Sequence, residues 1–176
     1  MQGFKQVLNE DRNTHLEHLE DEIINNGTSG AKTSIEFLKS IKKMLQGGEG
    51  GSTVSVKWDG APAIFCGINP ENNRFFVGTK SIFNATPKIN YTVSDISRNH
   101  GGALADKLVV ALKYLPSLGI KGVIQGDLLF TSDDKKMANV NGEKSIVFTP
   151  NTITYAIPVA STDMYNKIRA ARIGII

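Results

Sequence analysis

The sequence predicts an α+β protein with mostly antiparallel sheets and flanking helices, and three observations predict it. Two segments of helical periodicity come first. From Thr53 onward the chain turns to short apolar or alternating runs. Two of those runs are joined by "NPENN" at Asn69–Asn73, a strong turn cluster that marks a hairpin. A chain of 176 residues suits one domain with a sizeable core. Residues 1–50 read as an N-terminal helical segment and residues 51–176 as the main domain.

The elements follow in order. Thr14 with Glu17 makes a capping-box signature, and Leu16, Leu19 and Ile23 then share one face, until "NNG" at Asn25–Gly27 stops the helix. Thr33 and Glu36 repeat the signature ahead of Ile35, Leu38, Ile41 and Leu45. "QGGEGGS" at Gln46–Ser52 ends that second helix in a flexible joint. Val54, Val56 and Trp58 alternate with Ser55, Lys57 and Asp59, as a half-buried strand does. Ala63–Ile68 and "RFFVGTK" form the hairpin, and Leu104, Leu108, Leu112 and Leu115 line a helix from Ala103. "KGVIQGDLLFT" is a further strand, "TSDDKK" a turn, and Ile146–Phe148 and Ile153–Ile157 are short strands. Met164, Ile168 and Ala171 mark a last helix. The apolar ending "RIGII" reads as the start of another strand, the ending expected of a truncated chain.

Composition narrows the function classes. Hydrophobic residues make up 40% and charged residues 21%, ordinary for a soluble globular protein. A net charge of +3 and a pI near 8.9 suit a phosphate-rich partner without establishing one. Cys66 is the single cysteine, so no internal disulfide forms; inside "AIFCGI" it reads as a small buried hydrophobe. No apolar run reaches the ~20 residues of a membrane span, and the N-terminus lacks a signal-peptide core. The expected setting is cytoplasmic, with no membrane partner.

The chemistry concentrates around "VKWDGAPAIF". In a strand Lys57 and Asp59 emerge on one face, Val54, Val56 and Trp58 face a core, and Gly60 lets a turn or a ligand approach closely. A lysine amine attacks phosphorus only when unprotonated, so a nucleophile here needs burial or nearby positive charge. Downstream, "RFFVGTKS" places Arg74, Phe76, Gly78 and Lys80 on one face, with Lys80 as a second cation for phosphate or ribose. "VIQGDLLF" puts Gln125 and Asp127 on one face around Gly126. A carboxylate in an apolar strand points to solvent, or to a ligand, cation or hydroxyl.

These residues carry a resemblance. "KWDG" at Lys57–Gly60 resembles the KxDG motif of ATP-dependent polynucleotide ligases and mRNA capping enzymes, whose lysine takes the nucleotide as a phosphoramidate. "GTKS" at Gly78–Ser81 resembles the family's next basic motif. "IQGDLLF" resembles its acidic strand, with Asp127 in place of the more usual glutamate. "TPNTITYAI" resembles its aromatic strand, with Tyr155 as the base-stacking candidate. The longer "KWDGAPAIFCGINPENNRFFVGTKS" also resembles proteins of marine tailed phages. The resemblance implies a ligase-like adenylation fold and, for Lys57, catalysis through a lysyl-AMP. It also implies nucleotide contacts from Ser55, Val56, Asp59, Gly60, Lys80, Asp127 and Tyr155. Asp127 would be a ligand of magnesium or manganese. The implied partners are ATP and a DNA or RNA 5′-phosphate, as in DNA or RNA repair. A GTP-using capping enzyme, or a nucleic-acid-binding module without turnover, would look alike at these positions.

The pattern departs from that family in places. Pro62 stands where DNA ligases carry an arginine, whereas Ala61 matches the small residue of RNA ligases. The acidic-glycine strand and the lysine-x-lysine strand of the family have no counterpart up to Ile176. Other features read as structural. His15 and His18 with Glu22 form a solvated polar face, "DDKK" a turn, and His100 a loop residue ahead of a helix. "GGEGG" lacks the lysine and hydroxyl residue of a Walker-type loop.

Overall fold

The structure, a computed structural model, describes residues 18–48 and 57–176. The expected cap at Thr14 and the strand residues Thr53–Val56, with Ser55 and Val56, lie outside the described residues. The chain forms two compact units, one within residues 10–57 and the other from Trp58 to Ile176.

In the first unit, helix α1 spans Leu19–Leu45 and opens with a capping box between His18 and Asp21. Glu20, Asp21 and Glu22 in its first turn and Lys42 and Lys43 in its last complement the helix dipole. The helix breaks where "NNG" predicts. Gly27 takes φ 54° and ψ −130°, a conformation that other residues rarely adopt. The chain then folds back, so that the buried Ser34 hydroxyl donates to the Leu19 carbonyl at 3.3 Å. The second start expected at Thr33 is not seen. Helix resumes directly after Gly27, because the only interruption the backbone needs is that one residue.

The second unit holds two antiparallel sheets, so the α+β class is observed. The first sheet has the order β2-β1-β3-β7 and comprises β1 (Ala63–Asn69), β2 (Arg74–Gly78), β3 (Val123–Thr131) and β7 (Ile173–Ile175). The second has the order β4-β5-β6, from β4 (Lys136–Val140), β5 (Glu143–Phe148) and β6 (Tyr155–Pro158). The hairpin turn between β1 and β2 is fixed by Asn69, whose side-chain oxygen accepts from the Glu71 N–H at 2.8 Å, and by Asn73 at φ 55°.

Helices α2 (Val93–Asn99) and α3 (Gly102–Tyr114) cover one face of the first sheet. Ile96, Leu108, Ala111 and Leu115 pack there on Ile64, Cys66, Val77 and Leu128. Burial in this core pushes the Cys66 thiol up to about 11, the behaviour of an inert buried hydrophobe. α2 was not foreseen. Its signal is the Thr92 and Asp95 pair, a capping box with aspartate in place of the commoner glutamate.

β3 runs through both sheets' territory. Leu128 enters the first core, while Leu129 and Phe130 enter a second core with Ile146, Phe148, Ile157 and Ile168. The last of these comes from helix α4 (Thr162–Ala170). A register shift between Leu128 and Phe130 accompanies the change of face. "RIGII" forms β7, paired antiparallel to β3. Among the described residues no helix is long and apolar enough to cross a membrane.

Candidate functional site

The segment from Lys57 to Pro62 is not a strand. This corrects the alternating reading for its described part, and the reason lies in where the backbone bonds go. The Asp59 N–H donates to the Tyr155 hydroxyl at 2.6 Å, and that hydroxyl donates back to the Asp59 carbonyl at 3.2 Å. The Ala61 N–H donates to the Leu128 carbonyl at 3.0 Å, and the Leu128 N–H to the Pro62 carbonyl at 3.1 Å. The loop is therefore held by β6 at Asp59 and by β3 at Ala61 and Pro62, and the chain then enters β1. The Ala61–Pro62 peptide bond is cis.

Side chains complete the grip. The Trp58 ring stacks on Tyr155 with centroids 4.7 Å apart and planes 21° apart, and lies nearly parallel to Phe148 at 6.3 Å. Trp58 is thus packed as a core residue, as expected, but against the second sheet's cluster. The Asn151 amide donates to the Asp59 carboxylate at 2.5 Å. Asn151 carries no motif of its own and was missed; it sits in the turn before β6, where "TPNT" gives only a loop signal.

Gly60 matters for space. A Cβ built on it would lie 2.6 Å from the Leu128 carbonyl oxygen and 3.0 Å from the Asp127 Cβ. The loop can lie this close to β3 only because residue 60 has no side chain. Asp127 is half-buried, opposite Ala63 of β1, and its backbone pairs with Ile176 on the other side. Among the described residues its carboxylate has no hydrogen-bond or ion-pair partner. Gln125 lies opposite Phe65, so Gln125 and Asp127 share a sheet face, as expected.

Lys80 departs from its expected strand position. β2 ends at Gly78 opposite Phe65, and Lys80 opens a 3₁₀ turn, Lys80–Phe83, capped by Thr79. The chain leaves the sheet there at the end where Ala63 and Asp127 pair. Lys80, Asp127 and the Asp59–Gly60 loop thus gather at one end of the first sheet, with Tyr155 behind the loop. Lys57 is exposed. The burial on a sheet floor expected of a lysine nucleophile is not seen.

Among the described residues no three His, Cys, Asp or Glu side chains gather as a metal cage. A nucleotide-bound magnesium needs less, because it takes one or two carboxylates and fills its other positions with phosphate oxygens and water. Of the two carboxylates at this loop, Asp127 has no partner among the described residues, whereas Asp59 already accepts from Asn151. His100 is an anchored loop residue. It meets the Asn90 amide at 3.3 Å, and burial, with help from Lys88, holds its pKa below the ordinary histidine value.

A profile of DUF6267, a family of unknown function, matches residues 13–176, so the chain belongs to that family. The chain matches no curated protein and no solved structure.

Proposed function

We propose that this family member is a ligase-like nucleotidyltransferase, with a ligase-like adenylation fold, that carries AMP on Lys57. The observation that supports this reading best is the docking of the KWDG loop on β3, with Gly60 packed against Asp127. The motif residue types thereby meet the acidic strand in space as well as in order.

In this reading the Lys57 amine attacks the α-phosphorus of ATP. A nitrogen–phosphorus bond forms, the bond to the bridging oxygen breaks, pyrophosphate leaves, and the amine proton passes to solvent. A nucleic-acid 5′-phosphate then takes AMP from the lysine, and a 3′-hydroxyl displaces it in sealing. Such phosphoryl transfer is carried mainly by positioning and charge neutralisation. Asp127 holds the ribose hydroxyl or the magnesium, which neutralises phosphate charge when bound. Lys80 meets phosphate or ribose, and Asp59 and Gly60 position the loop. Tyr155, its ring already stacked on Trp58, acts by fixing that loop, not by stacking on the base.

A second reading is a nucleic-acid-binding module without turnover, favoured by the exposure of Lys57. Incubation with α-labelled ATP and magnesium, followed by denaturing electrophoresis, separates the two. A label that survives denaturation and disappears in Lys57→Ala supports the enzyme. An unlabelled chain that still binds nucleic acid supports the module. Competition by unlabelled GTP distinguishes a capping-type nucleotide preference.

A further inference from the structure

A cavity of about 410 Å³ lies between the inner face of the β4–β5 hairpin and helix α4. Its apolar lining comes from Ile146 and Met137, directly opposite each other across the hairpin, and from the Tyr165 side chain on α4. Around it stand Lys135, Lys136, Lys144 and Arg169. Among the described residues no carboxylate lines it. The nearby acids are engaged elsewhere: Asp134 pairs with Lys107 and Asp163 with Lys167. Glu143 neighbours Lys144 along β5, and alternation sends its side chain to the opposite face, which Lys136 shares through its pairing with Val147.

The four cations do different things. Lys135 is structural, since its ammonium donates to the carbonyls of Ile168, Arg169 and Ala171 and so caps the end of α4. Burial, with help from the nearby Arg172, holds its pKa below the ordinary lysine value. Of the cations on the groove face, Lys144 and Arg169 have no carboxylate partner among the described residues. Natural surfaces usually intersperse opposite charges, so two unneutralised cations around an apolar slot attract an anion that also brings something flat and apolar.

We propose that this groove seats a single-stranded nucleic acid. Lys144 and Arg169 would meet backbone phosphates, and a base would lie against Tyr165 and Met137. A positively charged groove with an aromatic platform is how single strands are held without sequence preference. The choice of nucleic acid over other polyanions rests on the functional reading above, and it adds a seat for the strand distinct from the Lys57 loop.

The test uses the full chain, fluorescein-labelled oligo-dT and oligo-U, and anisotropy over a range of salt. Lys144→Glu with Arg169→Glu should weaken binding at least about tenfold and flatten the slope of log K against log salt by about 1.4. The melting temperature and the ATP-dependent labelling of Lys57 should stay as in wild type. Tyr165→Phe should retain binding and Tyr165→Leu should lose it; if the leucine variant does not fold, the two charge reversals alone decide. Polyglutamate should compete at least about tenfold more weakly than an oligonucleotide of equal charge, because it lacks bases to stack. The proposal is overturned if wild type binds neither oligonucleotide, if the double variant binds unchanged, or if polyglutamate or anionic vesicles compete equally well. Loss of Lys57 labelling with strand binding intact would instead remove the enzyme reading and leave the groove standing.

Discussion

The hydroxyl of Tyr155 holds both backbone polar groups of Asp59, 96 positions earlier in the chain, accepting from its N–H and donating to its carbonyl. One side chain on β6 thereby sets the conformation of the loop that presents the motif.

Tyr155→Phe keeps the ring against Trp58 and removes both bonds. The Asp59 N–H is then left in a half-buried place without its partner, which costs about 1–3 kcal/mol. Urea unfolding should show a loss of that size, and α-labelled ATP should label Lys57 less at equal folded fraction. Labelling that follows folded fraction alone would remove Tyr155 from the site.

Gly60→Ala meets a carbonyl oxygen of β3, which cannot rotate away as a side chain can. The loop must lift, and a loss of about 1–3 kcal/mol is expected. Gly101→Ala is the control, because nothing lies within 4 Å of its added Cβ. Thermal melts of the two variants should separate clearly, with Gly101→Ala close to wild type.

Asp127→Asn preserves shape and removes charge. With no ion pair to lose among the described residues, its folding stability should change by less than about 0.5 kcal/mol. Adenylation should fall about a hundredfold, with a raised magnesium requirement, as when one charge-stabilising group is removed from a phosphoryl-transfer site. Full labelling at ordinary magnesium would assign Asp127 a structural role only.

His100 makes stability depend on pH. Its folded pKa is held below the ordinary value of 6.5, so the unfolded chain binds the proton more readily. Its contribution is present above pH 6.5 and is lost as pH falls through the depressed folded value. His100→Gln should flatten that part of the profile in denaturant melts between pH 7 and 5. An unchanged slope would show that other groups carry it.

Much of the fold was legible because local signals agreed with the tertiary result. The Asn69–Asn73 turn, the β1 and β3 runs and the leucine face of α3 are each read from adjacent residues. β4, "KMANV", was not, since its composition is that of a polar segment and only its register with β5 makes it a strand. The loop at Lys57–Gly60 was misread for the opposite reason. Its alternation is strand-like, yet Tyr155 and Leu128 claim its backbone groups, and neither lies near it in the sequence. The same long-range contacts explain why Asn151 could not be found, whereas Lys80 was placed one element too early because the local Thr79 cap ends β2 at Gly78.

Neighbouring residues of β3 supply different interiors, Leu128 one and Leu129 with Phe130 the other. One strand thus ties the two interiors together, so loosening either half disturbs the other. The amides of Cys66 and Phe148, in separate sheets, should exchange with deuterium at one common opening free energy, and damage engineered into either half should be paid across the whole unit from Trp58 to Ile176.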